Sequence, residues 1–381
     1  MRLELKKGAV KRFEWGNAIF GAISLMSLFL ILKNSDLAID YMNRGMKLCV
    51  STLIPSLFPF MVASELIVLS GATERLGFLI EKPSKALLGI SGKCSSAFLL
   101  GAVCGFPIGT RAAVTMYKNG MITHGELCRV ICFSNNPSSA FVISAVGETL
   151  FGSKSFGIAL YFVTLAASMI IGVILKCLYG QAYKEDAILP SKEISHGSKN
   201  GISSFSSAIV CAATSMLSVC AFVIFFSVLT GLIGNILNAF GVSQCIKALT
   251  VAFFELTGGV AAAAGVGSIE LAVIVAAFAV GWSGISVHFQ IAAICDGIGV
   301  RMGRYVLSKL LQGILNALFM WIFFRFFGGS VTFDAKSVEA FNYIMGVGGE
   351  RDLNIFISSV FFSVLCLTFF SWVKRVSRLK I

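Results

Sequence analysis

The sequence predicts an all-α polytopic membrane protein: about eight transmembrane helices plus two re-entrant hairpins, arranged as an inverted repeat with discontinuous helices. Three observations carry that expectation. Of 381 residues, 56% are hydrophobic and only 13% are charged, about half the charge of an ordinary soluble domain. Apolar segments near the length that crosses a bilayer, about 20 residues, recur along the chain. Some are clean and others are interrupted by Gly, Pro, Asn or Ser, and the same order of events recurs in both halves. This composition excludes a disordered chain, a secreted disulfide scaffold and a soluble enzyme.

A basic arm opens the chain, with Arg2, Lys6, Lys7, Lys11 and Arg12 against Glu4. It leads into a first span at 15–32. That stretch is long for a signal peptide and is followed by Lys33, Asn34, Ser35 and Asp36, not by a small-residue cleavage site. A clean span at 48–70 comes next. The apolar segment at 94–116 carries Gly101, Gly105, Phe106, Pro107, Gly109, Thr110 and Arg111 at its centre. Pro107 removes an amide donor and the glycines let the chain turn, so a hairpin is expected. The span at 127–146 is broken by Ser134, Asn135, Asn136, Pro137, Ser138 and Ser139. The span at 156–177 is clean, and the polar stretch 181–200 then divides the chain.

The second half repeats the order. A clean span at 205–230 precedes a segment at 248–268 that holds Glu255, Thr257, Gly258 and Gly259, the second expected hairpin. The span at 271–295 is interrupted by Trp282, Ser283, Gly284, Ser286, His288 and Gln290. Clean spans at 305–326 and 355–373 follow, with Lys374, Arg375, Arg378 and Lys380 in the tail. Three crossings per half would give the halves opposite orientations. Many secondary transporters share that design and bind substrate where the helix breaks meet.

Charge orients the scheme. Two-thirds of the net charge of +12 sits in the two short tails. That distribution reads as positive-inside orientation and not as a nucleic-acid footprint. Connections 71–93, 110–129, 178–200 and 296–309 are expected in the cytoplasm, with Lys309 counted among the loop cations of the last. The neutral 34–47 and the acidic 327–354 fall outside, and both termini are cytoplasmic.

Several patterns are set aside. Eleven cysteines, without a C-x-x-C pair, indicate no disulfide framework. His124, Cys128 and Cys132 share a helix face, but three collinear ligands make a poor tetrahedron. No catalytic triad or carboxylate pair is readable, so neither an enzyme nor a cofactor is expected. The breaks are the candidates for chemistry. A helix restarting near Pro137 would aim free amides and its positive end at an anion. Ser134, Asn135, Asn136 and Ser138 are expected to donate to carboxylates from one half, and Thr257, Ser283 and Gln290 from the other. Arg111 would supply an attracting charge, and Phe106 or Trp282 would stack on a flat ring. Glu255 is a functional candidate because ionising an acid in hydrocarbon is costly.

The run Gly89 to Lys93, the hairpin around Pro107, the break at Asn135 and Asn136 and the hairpin at Glu255 resemble the nucleoside-recognition, or Gate, domain proteins. More closely, the chain resembles sporulation integral membrane proteins of the YlbJ/SpoVV type over most of residues 40–330. The resemblance implies a fold related to concentrative nucleoside transporters. It divides the chain into a basic arm and first helix (1–40), a first Gate-like repeat (41–180), a linker (181–204), a second repeat (205–327) and a last loop, helix and tail (328–381). Phe106, Pro107, Gly109 and Thr110 would form the first hairpin tip, Ser134 to Pro137 the first broken helix. Glu255, Thr257 and Gly258 would form the second tip, and Trp282, Ser283, His288 and Gln290 the second break. It implies dipicolinate movement out of the mother cell across the outer forespore membrane. Acids that nucleoside transporters place in the first hairpin and first break are absent, which suits an anion better than a nucleoside. The expected function is therefore secondary transport of a small anionic solute in a lipid bilayer, coupled to a proton or sodium. A membrane scaffold in spore-envelope assembly and a nucleoside-like carrier are the alternatives, and homo-oligomerisation is left open.

Overall fold

In the computed structural model, every regular element among the described residues is helical. The structure describes residues 27–70, 80–180 and 201–327, with isolated positions at 21, 25, 75, 77 and 78. The first half holds α1 (Ser35–Leu48), a π-helical turn (Cys49–Leu53), α2 (Ile54–Leu69), α3 (Glu81–Leu87), α4 (Gly92–Cys104), α5 (Ile108–Lys118) and α6 (His124–Ser134). A π-helical stretch (Phe141–Leu150) and α7 (Lys154–Tyr179) complete it. The second half holds α8 (Gly201–Ala239), α9 (Gln244–Phe254), α10 (Leu256–Ala264), α11 (Ile269–Trp282), α12 (Gly284–Ile294) and α13 (Met302–Phe327).

Among the described residues, four helical stretches are long and apolar enough to cross a membrane: Lys154–Tyr179, Phe205–Ala239, Ile269–Ile294 and Met302–Phe326. The pair α3 and α4, bent by 89°, makes a fifth if it is counted as one span. The chain is a multi-pass membrane protein. Most of the expected span at 15–32, the linker 181–200, nearly all of the acidic loop 327–354 and the span 355–373 lie outside the described residues.

The segment 34–47, expected as a connection, is a correction. It forms α1, which runs through the π turn into α2. Ala38, Tyr41 and Gly45 fall on one face at helical spacing and are buried. They meet α8, where Tyr41 Oη donates to Asn235 Oδ1 at 2.9 Å. The expected span 205–230 is the middle of the 39-residue α8.

Close backbone contacts set the centre. Gly281 of α11 faces Gly313 of α13 so tightly that a Cβ on Gly281 would lie 2.7 Å from the Gly313 Cα. Helices α4 and α5 fold back on each other through Gly101 and Gly109, and α9 and α10 do so through Ala252 and Gly259. The Ser134 carbonyl at the end of α6 presses into the α4–α5 crossing, where a Cβ at Gly109 would stand 2.7 Å from its oxygen. Helix α6 starts in a capping box, in which Thr123 and Glu126 satisfy each other's backbone amides.

Only hydrogen fits at that crossing. Gly101→Ala should therefore destabilise the folded protein by about 1–3 kcal/mol through overpacking. Gly267→Ala, with nothing within 4 Å of the new Cβ, should leave detergent-solubilised melting unchanged. Equal melting of the two variants would refute the tight crossing.

Candidate functional site

The chain stops being helical after Ser134 and resumes past Pro137, which frees several carbonyls deep inside the protein. Each finds a polar partner. Asn135 Nδ2 donates to Ile131 O at 2.9 Å, and Asn136 Nδ2 donates to Phe133 O at 3.0 Å. The Phe106 amide donates to Asn136 O at 2.8 Å. Thr110 Oγ1 donates to Asn135 Oδ1 at 2.6 Å. The two asparagine amides, expected to face a solute, are fully buried and bonded to protein on both ends. The cause is local: the break uses those groups to repair its own backbone.

The largest surprise is Lys309. It was counted as a loop cation, yet it lies fully buried on α13. Its ammonium donates to Asn135 O at 2.7 Å and to Gln312 Oε1 at 2.8 Å. Gln312 Nε2 in turn donates to Asn136 Oδ1 at 2.7 Å and to Thr164 O at 3.3 Å. Asn316 Nδ2 donates to Thr164 Oγ1 at 3.0 Å. Among the described residues, no carboxylate lies within salt-bridge distance of this lysine. The signal was present in the sequence. Lys309, Gln312 and Asn316 are spaced three and four apart, a polar stripe on an otherwise apolar helix.

The second half repairs its breaks differently. Glu255 ends α9 and caps α10, where its carboxylate accepts the Thr257 amide at 2.9 Å and the Gly258 amide at 2.5 Å. The α11–α12 break turns through Ser283, with φ of 72°, and Gly284, with φ of 80°. Trp282 Nε1 donates to Phe253 O at 2.9 Å, and its ring stacks on Phe253 with centroids 5.5 Å apart. The His288 ring meets Trp282 at 4.4 Å, and its Nδ1 lies 3.2 Å from Tyr305 Oη. Trp282 and His288 are thus buried in an aromatic stack. The tryptophan face expected to hold a flat ligand is covered by protein, because the turn at Ser283 folds the indole back onto α9.

Parts of all four interrupted segments meet at one cavity with about 30 Å³ of free space. Phe106, Ser138, Glu255, Thr257, Ser286 and Gln290 contribute to its wall, beside Pro137 and apolar residues of the π turn, α2 and α8. Ser134 Oγ, His288 Nε2 and Gln290 Oε1 are buried without a hydrogen-bond partner. Glu255 also borders a second cavity of about 170 Å³, together with Gly258, Tyr41, Arg44, Lys47 and Thr230. Pro107, Gly109 and Ser283 shape the backbone at the breaks, Thr110 holds the Asn135 side chain, and none of the four lines the first cavity. Arg111 turns away from it, and its Nη1 donates to Cys211 O on α8 at 3.4 Å.

The bond between Gln312 and Asn136 is testable as a pair. Gln312→Leu and Asn136→Leu should each cost about 1–3 kcal/mol, since each strands a buried partner. The double variant should cost less than the sum, by roughly 0.5–3 kcal/mol of coupling. Simple additivity in a denaturation cycle would mean the two side chains do not interact.

No family model matches the chain. Two solved structures of CNTnw, a concentrative nucleoside transporter, align with it. One is a variant in an outward-facing state, at 15% identity and a TM-score of 0.48, covering 81% of this chain and 85% of that one. The other is in an inward-facing substrate-bound state, at 16% identity and a TM-score of 0.41, covering 80% and 85%. In sequence, the chain is similar to the sporulation integral membrane protein YlbJ of Bacillus subtilis (strain 168), at 24% identity over 338 residues, 80% of this chain and 82% of that protein.

Proposed function

We propose that the protein is a secondary carrier for a small anionic solute, and that this solute is dipicolinate leaving the mother cell across the outer forespore membrane. The observation that carries the reading is the convergence of two broken helices and two folded-back helix pairs on one buried cavity. On this reading the two pairs are re-entrant hairpins, the halves form an inverted repeat, and both termini are cytoplasmic. Similarity to a protein named for sporulation supports the setting.

The chemistry of the wall supports an oxygen-rich solute. The Ser138 hydroxyl stands on one side, and Thr257, Ser286 and Gln290 stand on the other. Phe106 offers an aromatic face. Lys309 adds a positive charge one layer behind the wall, through the Asn135 carbonyl. Free space for one or two waters is far less than a pyridine dicarboxylate needs. Loading therefore requires the two halves of the wall to separate, as alternating access does.

Glu255 gives the reading its coupling. Two negative charges within a few ångströms in a low-dielectric cavity repel strongly. An anion beside Glu255 thus travels with a proton, held by the solute or by the glutamate. In proteoliposomes, radiolabelled dipicolinate uptake should be saturable and should accelerate with a proton gradient directed inward. Glu255→Gln should keep solute exchange while losing the acceleration, and Gln290→Leu should lower uptake by roughly tenfold. Correctly inserted protein that moves no dipicolinate under any gradient would favour a membrane scaffold.

A further inference from the structure

The carrier reading places Lys309 behind the cavity wall and gives it no further task, yet its surroundings are unusual. Lys309 is fully buried on α13, and both acceptors of its ammonium are uncharged: Asn135 O at 2.7 Å and Gln312 Oε1 at 2.8 Å. Helices α6, α7 and α11 pack on α13, and α7 and α13 carry no acid. Glu126 of α6 accepts from the amides of Ser91, at 2.7 Å, and Thr123, at 3.1 Å. Glu270 of α11 accepts from Trp321 Nε1 at 3.0 Å, near the opposite end of α13. Glu255, in the other half, is held by the amides that open α10. Among the described residues, neutral oxygens alone hold this lysine.

An alkali cation takes such surroundings, whereas an ion pair does not. Carriers with broken helices coordinate a coupling cation with unwound carbonyls and with the C-terminal ends of half-helices, where the helix dipole is negative. Asn135 is the C-cap of α6, so its carbonyl is such a group. The second oxygen is aimed by its own amide. Gln312 Nε2 donates to Asn136 Oδ1 at 2.7 Å and to Thr164 O at 3.3 Å, which turns Oε1 towards the ammonium. A third oxygen, Ser134 Oγ, is buried at the same break without a hydrogen-bond partner. An ammonium already standing 2.7 Å from the Asn135 carbonyl leaves no place there for a cation from solution.

We propose that Lys309 is a tethered cation, filling an alkali-cation site at the C-terminal end of α6 that its removal would open to sodium or potassium. The first-half break then closes without any ion from solution, and sodium is not the species that this break couples to transport. The site stands whether or not the protein carries dipicolinate, because its charge and its oxygens belong to the break and not to the central cavity.

The test is melting of the full-length protein in detergent, with sodium, methylammonium or choline chloride at one concentration. Wild-type protein should melt at one temperature in all three. Lys309→Ala removes the charge and leaves room, so it should melt lower in choline. Sodium and methylammonium should then raise its melting by roughly 2–4 °C, saturably, and more than they raise the wild type. Lys309→Met fills the same room with an apolar chain and should respond to neither salt. A sodium shift equal in wild type and Lys309→Ala would overturn the proposal, as would an equal rescue of Lys309→Met. Where Lys309→Ala does not fold, wild-type protein decides: equal melting in sodium and choline sustains the tethered cation, and a saturable rise with sodium overturns it. No solute enters the measurement, so its outcome is independent of any dipicolinate assay.

Discussion

The ammonium of Lys309 on the carbonyl of Asn135 holds the centre of this protein together. Hydrocarbon offers no partner for a freed backbone group, so an interrupted helix survives only where protein replaces the missing bonds. Lys309, Gln312 and Asn136 form a short chain of donors and acceptors that joins α13, the α6 break and α7. A buried ammonium without a carboxylate is ordinarily expensive. Here it sits at the carbonyl end of a helix, where the dipole favours positive charge, and oxygens accept two of its protons.

The two halves solve the same problem with opposite charges. In the first, a cation and two asparagine amides satisfy carbonyls left open at the end of α6. In the second, the Glu255 carboxylate satisfies amides left open at the start of α10, and Ser283 adopts a left-handed turn that glycine usually takes. The aromatic stack of Phe253, Trp282 and His288 then packs the second break from behind. A positive charge at a helix end and a negative charge at a helix start are each the favourable pairing. That is why an amine and a carboxyl group are tolerated so far from water.

Much of this arrangement was legible in the residues. Interruptions at Pro107, Asn135, Glu255 and Ser283 marked the places where helices stop, because Gly, Pro and paired amides disfavour continuous helix in any surroundings. The roles of the polar groups were harder to read. A sequence shows that Asn135 and Asn136 need partners, but not whether those partners are solute or backbone, since both are oxygens. Lys309 reads as a loop cation by charge alone, and only its spacing from Gln312 and Asn316 marks the buried face of α13. Trp282 was expected to offer its face to a flat ring, whereas the turn at Ser283 and Gly284 buries it. The 34–47 segment resembles a loop in its balanced charges, and its helical period shows only in the spacing of Ala38, Tyr41 and Gly45.

The tight crossing of Gly101, Gly109 and the Ser134 carbonyl has a mechanical consequence. Where backbones touch without intervening side chains, no layer remains to shear, so α4, α5 and α6 translate and rotate as one rigid block. The glycine contact between α11 and α13 makes a second block in the same way. Beside these blocks, at the central cavity, Phe106 and Ser138 meet Thr257 of α10 and Ser286 and Gln290 of α12 through side chains. Lys309 and Gln312 join α13 to the α6 break through one bond each, to Asn135 O and Asn136 Oδ1, and side-chain contacts of that kind can pivot without being dismantled.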